Sequence, residues 1–257
     1  MNAVSVVMAV YNGRQFLSTQ VASLLADLCP QDEVIVVDDA SVDGTYEWLL
    51  SLAEPRIRLH RNTKNWGVRT SFQRGLALAT NDIVFLCDQD DDWLPGKRAA
   101  FVDAFSRDPD CLVVISDAQI IDGESQVFAD SFMRTRGGFH RGFWANFYRN
   151  RYLGCAMAVR QRLLLAALPI PPYVPMHDMW LGMLGCLLGG VLYLPEPWLR
   201  YRRHSSNVSP SSRQSWRRIL AWRLNLLRAV TVRLTTLALR RFRQMVRSAL
   251  SKPPRLL

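Results

Sequence analysis

Five short apolar runs, separated by segments long enough to form helices, constrain the fold of this chain more than any other feature. They are rich in Val and Ile and fall at Val4–Val10, Glu33–Asp38, Ile57–His60, Ile83–Cys87 and Leu112–Ile115. Apolarity along a whole run is typical of parallel strands that helices cover on both faces. The helices are predicted over Arg14–Leu28, Thr45–Leu52, Thr70–Ala79 and Pro95–Ser106. The alternation predicts an α/β fold with a ligand crevice at the carboxyl ends of the strands.

The alternation of strands and helices breaks down after Asp117. A further strand is predicted over Tyr152–Val159, and Met179–Leu194 is predicted to be a buried helix that runs into a turn and a strand. This last segment has 16 residues, fewer than the ~20 that a membrane span needs. We therefore expect one domain over 1–212, in which residues 118–212 form a second half that binds a second substrate.

Positive charge is concentrated at the carboxyl end of the chain. The 257 residues include 32 Lys and Arg against 22 Asp and Glu, and 12 of the basic residues but none of the acidic ones lie in 213–257. Apolar residues lie between these cations, as in helices that bind anionic membrane surfaces. The alternative is two short helices packed partly on the body. A membrane span would bury Arg223, Arg228 and Arg233, and no recognition motif accompanies the charge to indicate nucleic-acid binding.

The cysteines indicate a reducing compartment. Their number is odd, none forms a C-x-x-C pair, and they lie far apart, at Cys29, Cys87, Cys111, Cys155 and Cys186. Neither a disulfide framework nor a zinc site is expected. No signal peptide is expected either, because no basic segment precedes the first apolar run.

Four carboxylates within five residues follow the fourth apolar run, in the sequence Asp88-Gln89-Asp90-Asp91-Asp92. Like charges this close repel one another unless a cation offsets them. Mg²⁺ or Mn²⁺ takes oxygen ligands of this kind and keeps positions open for substrate phosphates. The alternative is a solvated acidic turn in which Asp91 or Asp92 caps the next helix.

Two other strand ends carry candidate binding groups. Asp38 and Asp39 end the second run, where a carboxylate can accept a hydrogen bond from a nucleobase or a ribose, or can cap a helix. The first run ends at Tyr11, whose ring offers a flat face to a base, and an Asn-Gly turn follows. No glycine-rich phosphate-binding sequence follows, which argues against dinucleotide redox and ATPase chemistry.

Four motifs in this order resemble the family 2 glycosyltransferases of the GT-A fold: Met8–Asn12, Val37–Thr45, Asn65–Gly67 and Phe85–Trp93. The resemblance spans about residues 3–207, and the Asp-Gln-Asp-Asp sequence is similar to bacterial rhamnosyltransferases. It implies a Rossmann-like mixed sheet flanked by helices. We expect a nucleotide-sugar-binding half at 1–117 and an acceptor half at 118–212, and the charge pattern predicts a basic helical tail at 213–257.

The resemblance implies a metal-dependent inverting glycosyltransferase with Mg²⁺ or Mn²⁺ as cofactor. Its donor would be dTDP-rhamnose or a UDP-hexose, and its acceptor a cell-surface polysaccharide or a lipid-linked saccharide. The resemblance further implies that Tyr11, Asp39 and the backbone near Ala9 bind the nucleotide base. Asp88 is implied near the ribose and as a metal ligand, and Asp90 is implied as the direct metal ligand.

The resemblance also implies roles for residues of the second half. Asp178 matches the catalytic base, although the family usually has Glu where this chain has His177. The basic run Arg200–Asn207 resembles a loop that closes over the diphosphate, with Arg203 as a phosphate contact and His204 as a further metal ligand or a hydrogen-bond donor to the diphosphate. A charged surface strand is the alternative for this run.

Arg69, beside the Asn65–Gly67 turn, is a further candidate nucleotide contact, although a solvated surface arginine is more common. We expect an enzyme at the cytoplasmic face of the cell membrane, held peripherally on the anionic surface by its tail. The rival hypothesis is a protein that binds nucleotide sugars without catalysis, or a membrane adaptor.

Overall fold

A computed structural model describes residues 2–204 and 215–250, with side chains to residue 244. Within these ranges one mixed sheet forms the centre of the protein, and its strands lie in the order β3-β2-β1-β4-β8-β6-β9-β5, with β7 paired to β6. The strands are β1 (Val4–Val10), β2 (Glu33–Asp38), β3 (Ile57–Arg61), β4 (Ile83–Cys87), β5 (Asp92–Trp93), β6 (Val113–Ile121), β7 (Val127–Ala129), β8 (Met157–Arg160) and β9 (Val191–Arg202).

Helices cover both faces of this sheet, as the continuous apolar strands predict. Their bounds are α1 (Arg14–Asp27), α2 (Thr45–Ser51), α3 (Val68–Leu78), α4 (Lys97–Arg107), α5 (Phe132–Thr135), α6 (Phe143–Tyr148), α7 (Gln161–Ala167), α8 (His177–Leu188) and α9 (Trp216–Leu250). The helix α3 lies close to the sheet at Gly75, where a Cβ would come within 2.4 Å of Val7 Cγ1. Glycine is therefore required at this contact.

The first half of the sheet is parallel. The strand β1 pairs with β2 and β4, and β2 pairs with β3, all in parallel register. The bounds of β1, β2 and β4 are those predicted, because each strand is a nearly continuous apolar run with polar residues at or directly after its end. Their carboxyl ends consequently meet at one edge of the sheet, where the predicted binding groups lie.

The second half differs from the prediction in two places. Residues 154–156 form a 3₁₀ turn, and strand β8 starts only at Met157, because Ala156 N donates to Leu153 O in a turn. The strand β6 runs past the predicted end at Ile115 to Ile121. It includes the buried Asp117, whose carboxylate accepts hydrogen bonds from Ser131 Oγ and Met133 N.

The tail forms one helix over the described residues rather than two short ones. Leu226, Ala229 and Val230 of α9 are buried. Arg233 donates to the carbonyls of Ala166, Leu168 and Pro169 at the end of α7. The middle of α9 therefore packs on the body of the protein, as the alternative prediction for the tail proposed. None of the helices in the described ranges has both the length and the hydropathy of a membrane span.

Candidate active site

A cleft of about 410 Å³ opens at the carboxyl ends of β1, β2 and β4 and is bordered on its far side by the start of α8. It lies where the order of the parallel strands predicts a ligand crevice. Of the predicted site residues, those that line this cleft are Ala9, Tyr11, Asp39, Asp88, Asp90 and Asp178. The structure therefore brings together residues that are up to 169 positions apart.

The turns after β1 and β2 hold each other in place. Asn12 has a φ of 48°, and its backbone N–H donates to Ser41 Oγ at 2.9 Å while its side-chain oxygen accepts from Val42 N at 2.9 Å. Asparagine tolerates this left-handed conformation better than most residues. The Tyr11 side chain beside this turn is 44% exposed, so its ring is available to a ligand.

Asp39 lines the cleft and also supports its wall. One carboxylate oxygen accepts from Asn62 Nδ2 at 2.7 Å and from Trp66 N at 2.8 Å, and the other accepts from Gly67 N at 2.8 Å. Gly67 has a φ of 84°, a conformation that glycine adopts without strain. Asp39 thus fixes the Asn65–Gly67 turn, a role that the sequence motif did not predict.

Gln89 and Arg202 fix the acidic loop after β4. The Gln89 side chain accepts from Tyr11 N at 2.8 Å and donates to Tyr11 O at 3.2 Å, which joins the ends of β4 and β1. Arg202 is 2% exposed. Its backbone N–H donates to Asp91 Oδ1 at 2.9 Å, and its guanidinium lies 3.2 Å from Asp92 Oδ1. Asp91 and Asp92 are thereby turned away from the cleft.

The remaining acidic groups of the loop, Asp88 and Asp90, face the cleft. Burial, and then the charges of Asp90 and Asp178, raise the pKa of Asp88 to about 7. His204 Nε2 lies 2.7 Å from Asp90 Oδ2. Two carboxylates that repel each other suit a cation held by oxygen ligands, and a metal held by Asp88, Asp90 and His204 stays a prediction.

A second group of potential metal ligands shares Asp88 with the first. Asp88, Asp91 and Cys155 have ligand atoms within 4.8 Å of one another, and Asp88 is the member that lines the cleft. Burial raises the pKa of the Cys155 thiol well above its usual range, and Mg²⁺ and Mn²⁺ prefer oxygen ligands. The buried ammonium of Lys97, which donates to Cys155 O at 2.7 Å, supplies positive charge on this side of the loop.

Asp178 borders the cleft on the side opposite the turns after β1 and β2. It lies in the first turn of α8, is 8% exposed, and its Oδ1 accepts from Met179 N at 2.5 Å. Burial raises the pKa of Asp178 to about 6. A carboxylate with a pKa close to neutral is suited to general-base chemistry, because it is deprotonated at pH 7 and still accepts a proton readily.

Arg69 and Arg203 do not reach into the cleft. The Arg69 guanidinium donates to the backbone carbonyls of Pro172 and Val174, so the structure gives no support to its predicted nucleotide contact. The Arg203 guanidinium lies 6.0 Å from the ring centroid of Tyr201, beside the cleft. The alternative for the basic run was a charged surface strand. Its first residues do belong to a strand, but Arg202 is buried and not on the surface. Residues 205–207 of the run lie outside the described residues.

Comparisons with known proteins agree with this architecture. A family model described as "Glycosyl transferase family 2" matches residues 5–165. An uncharacterized glycosyltransferase of Nostoc sp. is 32% identical over 125 residues, which are 48% of this chain and 38% of that protein. The Escherichia coli protein WfgD, a UDP-Glc:alpha-D-GlcNAc-diphosphoundecaprenol beta-1,3-glucosyltransferase, is 25% identical over 183 residues, 70% of this chain and 69% of that protein.

A crystal structure of residues 1–349 of Staphylococcus aureus TarS in complex with UDP-GlcNAc has a similar fold. The TM-score is 0.66 at 17% sequence identity, with 83% of this chain and 62% of that chain covered. The mixed sheet flanked by helices is therefore a GT-A fold. The chain spans well under half the length of the Nostoc relative. Because the family model covers residues 5–165, more than half of its length, the chain belongs to glycosyl transferase family 2.

Proposed function

We propose that the protein transfers a sugar from a nucleoside-diphosphate sugar to a saccharide hydroxyl with inversion at the anomeric carbon. The observation that carries this proposal is that Asp178 lines the same cleft as Asp88 and Asp90, close enough for its charge to raise the pKa of Asp88. An acceptor bound against Asp178 and a donor bound against Asp88 and Asp90 would meet within one cleft.

Asp178 is the proposed general base. The acceptor hydroxyl attacks the anomeric carbon on the face opposite the nucleoside diphosphate, its proton passes to the Asp178 carboxylate, and the bond from the anomeric carbon to the diphosphate oxygen breaks. Such proton removal by a positioned side chain contributes on the order of 10²–10⁴-fold. The reaction is a single displacement, unlike the two-carboxylate hydrolysis of glycosidases.

The nucleotide end of the donor is proposed to lie against the turns after β1 and β2. The exposed ring of Tyr11 is available to stack on the base, and the backbone near Ala9 borders the same part of the cleft. Asp39 uses its oxygens to hold residues 62–67, so its contribution to base binding is proposed to be largely the placement of this wall. Asp88 is proposed to lie near the ribose.

Mg²⁺ or Mn²⁺ is the proposed cofactor, held by Asp88, Asp90 and His204. When bound, it would neutralise the negative charge that develops on the departing diphosphate. The chain itself contributes the orientation of these ligands, since Arg202 donates from Nε to the backbone carbonyl of Asp90 at 2.8 Å. Arg203, beside Tyr201, remains a proposed phosphate contact.

The donor is proposed to be a UDP-hexose or dTDP-rhamnose, and the acceptor a lipid-linked saccharide or a cell-surface polysaccharide. Support comes from TarS, which binds UDP-GlcNAc in its crystal structure, and from WfgD, whose name specifies UDP-Glc and a diphosphoundecaprenol acceptor. Residues 118–212, which contain Asp178 and the aromatic helix α6, are proposed to form the acceptor half, and residues 1–117 the nucleotide-sugar half.

The tail 213–257 is proposed to hold the enzyme peripherally on the inner face of the cell membrane. The segments of α9 before and after its buried middle expose apolar side chains, namely Trp216, Leu220, Leu224, Leu239 and Phe242. Replacement of the exposed Leu239 and Phe242 by Glu, which leaves the buried middle of α9 in place, should abolish flotation with anionic liposomes while donor hydrolysis continues. Undiminished flotation would reject this part of the proposal.

The activity itself is tested with purified protein, Mn²⁺, a panel of nucleoside-diphosphate sugars and a panel of lipid-linked acceptors, by following release of the nucleoside diphosphate. Wild type should release it, whereas chelation of the metal and the Asp90→Ala change should each abolish release. Asp103→Asn is the matched control, because Asp103 is an exposed carboxylate on α4. Donor binding without turnover over the whole panel would favour a non-catalytic binding protein.

A further inference from the structure

His177 is a buried polar side chain that the mechanism above does not use. It is the first residue of α8 and is 2% exposed. Its ring lies against the ring of Phe72, with centroids 4.0 Å apart and an angle of 22° between the planes. Phe72 therefore fixes the plane of the imidazole and leaves its edge, which carries both nitrogens, for other contacts.

Neither ring nitrogen of His177 has a hydrogen-bond partner among the residues that the structure describes. Burial lowers the pKa of His177 to about 3, so the ring is neutral and offers one N–H donor and one acceptor nitrogen. A buried polar group without a partner destabilises the folded protein, and such groups are uncommon in native structures. A bound molecule that can both donate and accept would remove this cost.

The unpartnered edge of His177 belongs to the cleft. His177 and Gly154 both line it. A Cβ on Gly154 would lie 3.3 Å from His177 Nε2, tighter than an ordinary van der Waals contact. A side chain at position 154 would therefore crowd Nε2, which is itself buried, on the same side of the cleft as Asp178.

We propose that His177 contacts the substrate and determines specificity by hydrogen bonding to a sugar hydroxyl. A hydroxyl can accept from the N–H of a neutral imidazole or donate to its other nitrogen, so it can pair with whichever of the two it reaches. A site built to bind a hydroxyl discriminates against a sugar that lacks it, because its own polar group then stays unpaired. The inference rests on the proposed function, and the hydroxyl belongs either to the donor sugar or to the acceptor.

The test uses the full-length protein with His177→Phe, which keeps an aromatic ring against Phe72 and removes both nitrogens. Calorimetric titration with UDP and dTDP, and then with UDP-glucose, UDP-GlcNAc and dTDP-rhamnose, separates nucleotide affinity from sugar affinity. We expect the affinity for the free nucleotides to change less than twofold. If the hydroxyl is on the donor, the affinity for the sugar nucleotide that binds wild type should fall by about five- to tenfold, as expected for loss of one hydrogen bond.

If the hydroxyl is on the acceptor, all donor affinities should stay unchanged and the acceptor KM should rise by a similar factor. His177→Asn keeps a hydrogen-bond donor and an acceptor. Its change in donor affinity, or in acceptor KM, should therefore be smaller than that of His177→Phe. His60→Phe is the matched control, since His60 Nε2 is also buried without a partner but lies on β3, away from the cleft. Should His177→Phe fail to fold, His177→Leu removes the same nitrogens with a smaller side chain.

Unchanged donor affinity together with unchanged acceptor KM in folded His177→Phe would overturn this inference and leave the proposed function intact. A wild-type protein that binds none of the nucleotides would instead overturn the proposed function, and the inference with it. A loss of free-nucleotide affinity equal to the loss of sugar-nucleotide affinity would also overturn the inference, because it would indicate a general disturbance of the cleft.

Discussion

Arg202 donates from its Nε to the backbone carbonyl of Asp90 at 2.8 Å, a contact between residues 112 positions apart in the chain. The same guanidinium donates to the Asp122 carbonyl at 3.0 Å and to Ser125 Oγ at 2.8 Å. The end of β9 therefore fixes the acidic loop on the side that faces away from the cleft. The carboxylates of Asp88 and Asp90 can face the cleft because Arg202 contributes opposite charge on the interior side.

Arg202→Met is expected to destabilise the protein by about 3–5 kcal/mol, because it removes the cation that pairs with the buried Asp92 and the donor to the carbonyls of Asp90 and Asp122. Chemical denaturation followed by circular dichroism measures this change. Arg203→Met is the matched control for stability: Arg203 is only partly buried and its side chain lies over Tyr201, so a loss under about 1 kcal/mol is expected. Equal losses in the two variants would contradict the role given to Arg202.

Asp178→Asn is expected to stabilise the protein at pH 7.5. Burial raises the pKa of Asp178 from 3.8 to about 6, so the native protein holds its proton more tightly than the unfolded chain does. The charged form consequently costs about 2–3 kcal/mol of stability above pH 6. Asn removes this cost and can still accept from Met179 N. Thermal melts should show a higher Tm for the variant at pH 7.5 and a difference that vanishes near pH 4.

Transfer activity is expected to fall at acid pH because the base must be deprotonated. With a pKa of Asp178 of about 6, kcat/KM for the acceptor should be flat above pH 7 and should decrease towards tenfold per pH unit well below pH 6. A pH series of initial rates at saturating donor and metal measures this limb. Activity that stays constant down to pH 4.5 would exclude Asp178 as the base.

Asp39→Ala is expected to release the Asn65–Gly67 turn and to weaken nucleotide binding. The change removes the acceptor of three hydrogen bonds from residues 62–67, at a cost of about 1–3 kcal/mol in stability. Hydrogen exchange should rise at the amides of Trp66 and Gly67, and the affinity for UDP or dTDP should fall. Asp103→Asn, on the exposed face of α4, should change neither. Unaltered exchange at both amides would show that Asp39 does not hold the turn.

The parallel half of the sheet could be predicted from the sequence because its strands are buried on both faces. Such strands are apolar at nearly every position, and polar residues at or directly after the last position mark the ends of β1, β2 and β4. The rest of the sheet lacks this signal. The strand β6 contains Asp117, whose partners Ser131 and Met133 lie in a later loop and helix, and no local pattern indicates that a carboxylate will be buried there.

The residues of the candidate site that belong to sequence motifs could be predicted. The distant residues that hold them in place could not. The resemblance identified the cleft-lining residues Tyr11, Asp88, Asp90 and Asp178. It gave no indication that Arg202 rather than Arg203 is the buried arginine, because two adjacent arginines at the end of a strand look alike in the sequence. Strand pairing decides this: Arg202 pairs with Ile121 of β6 and points at the acidic loop.

The most direct test of the central claim is to measure donor binding and sugar transfer in the same Asp178→Asn protein, in the presence of Mn²⁺. The account predicts that the variant binds the nucleoside-diphosphate sugar within about twofold of wild type but transfers it at least 100-fold more slowly, as expected for loss of a general base. Transfer at the wild-type rate by Asp178→Asn would contradict the account.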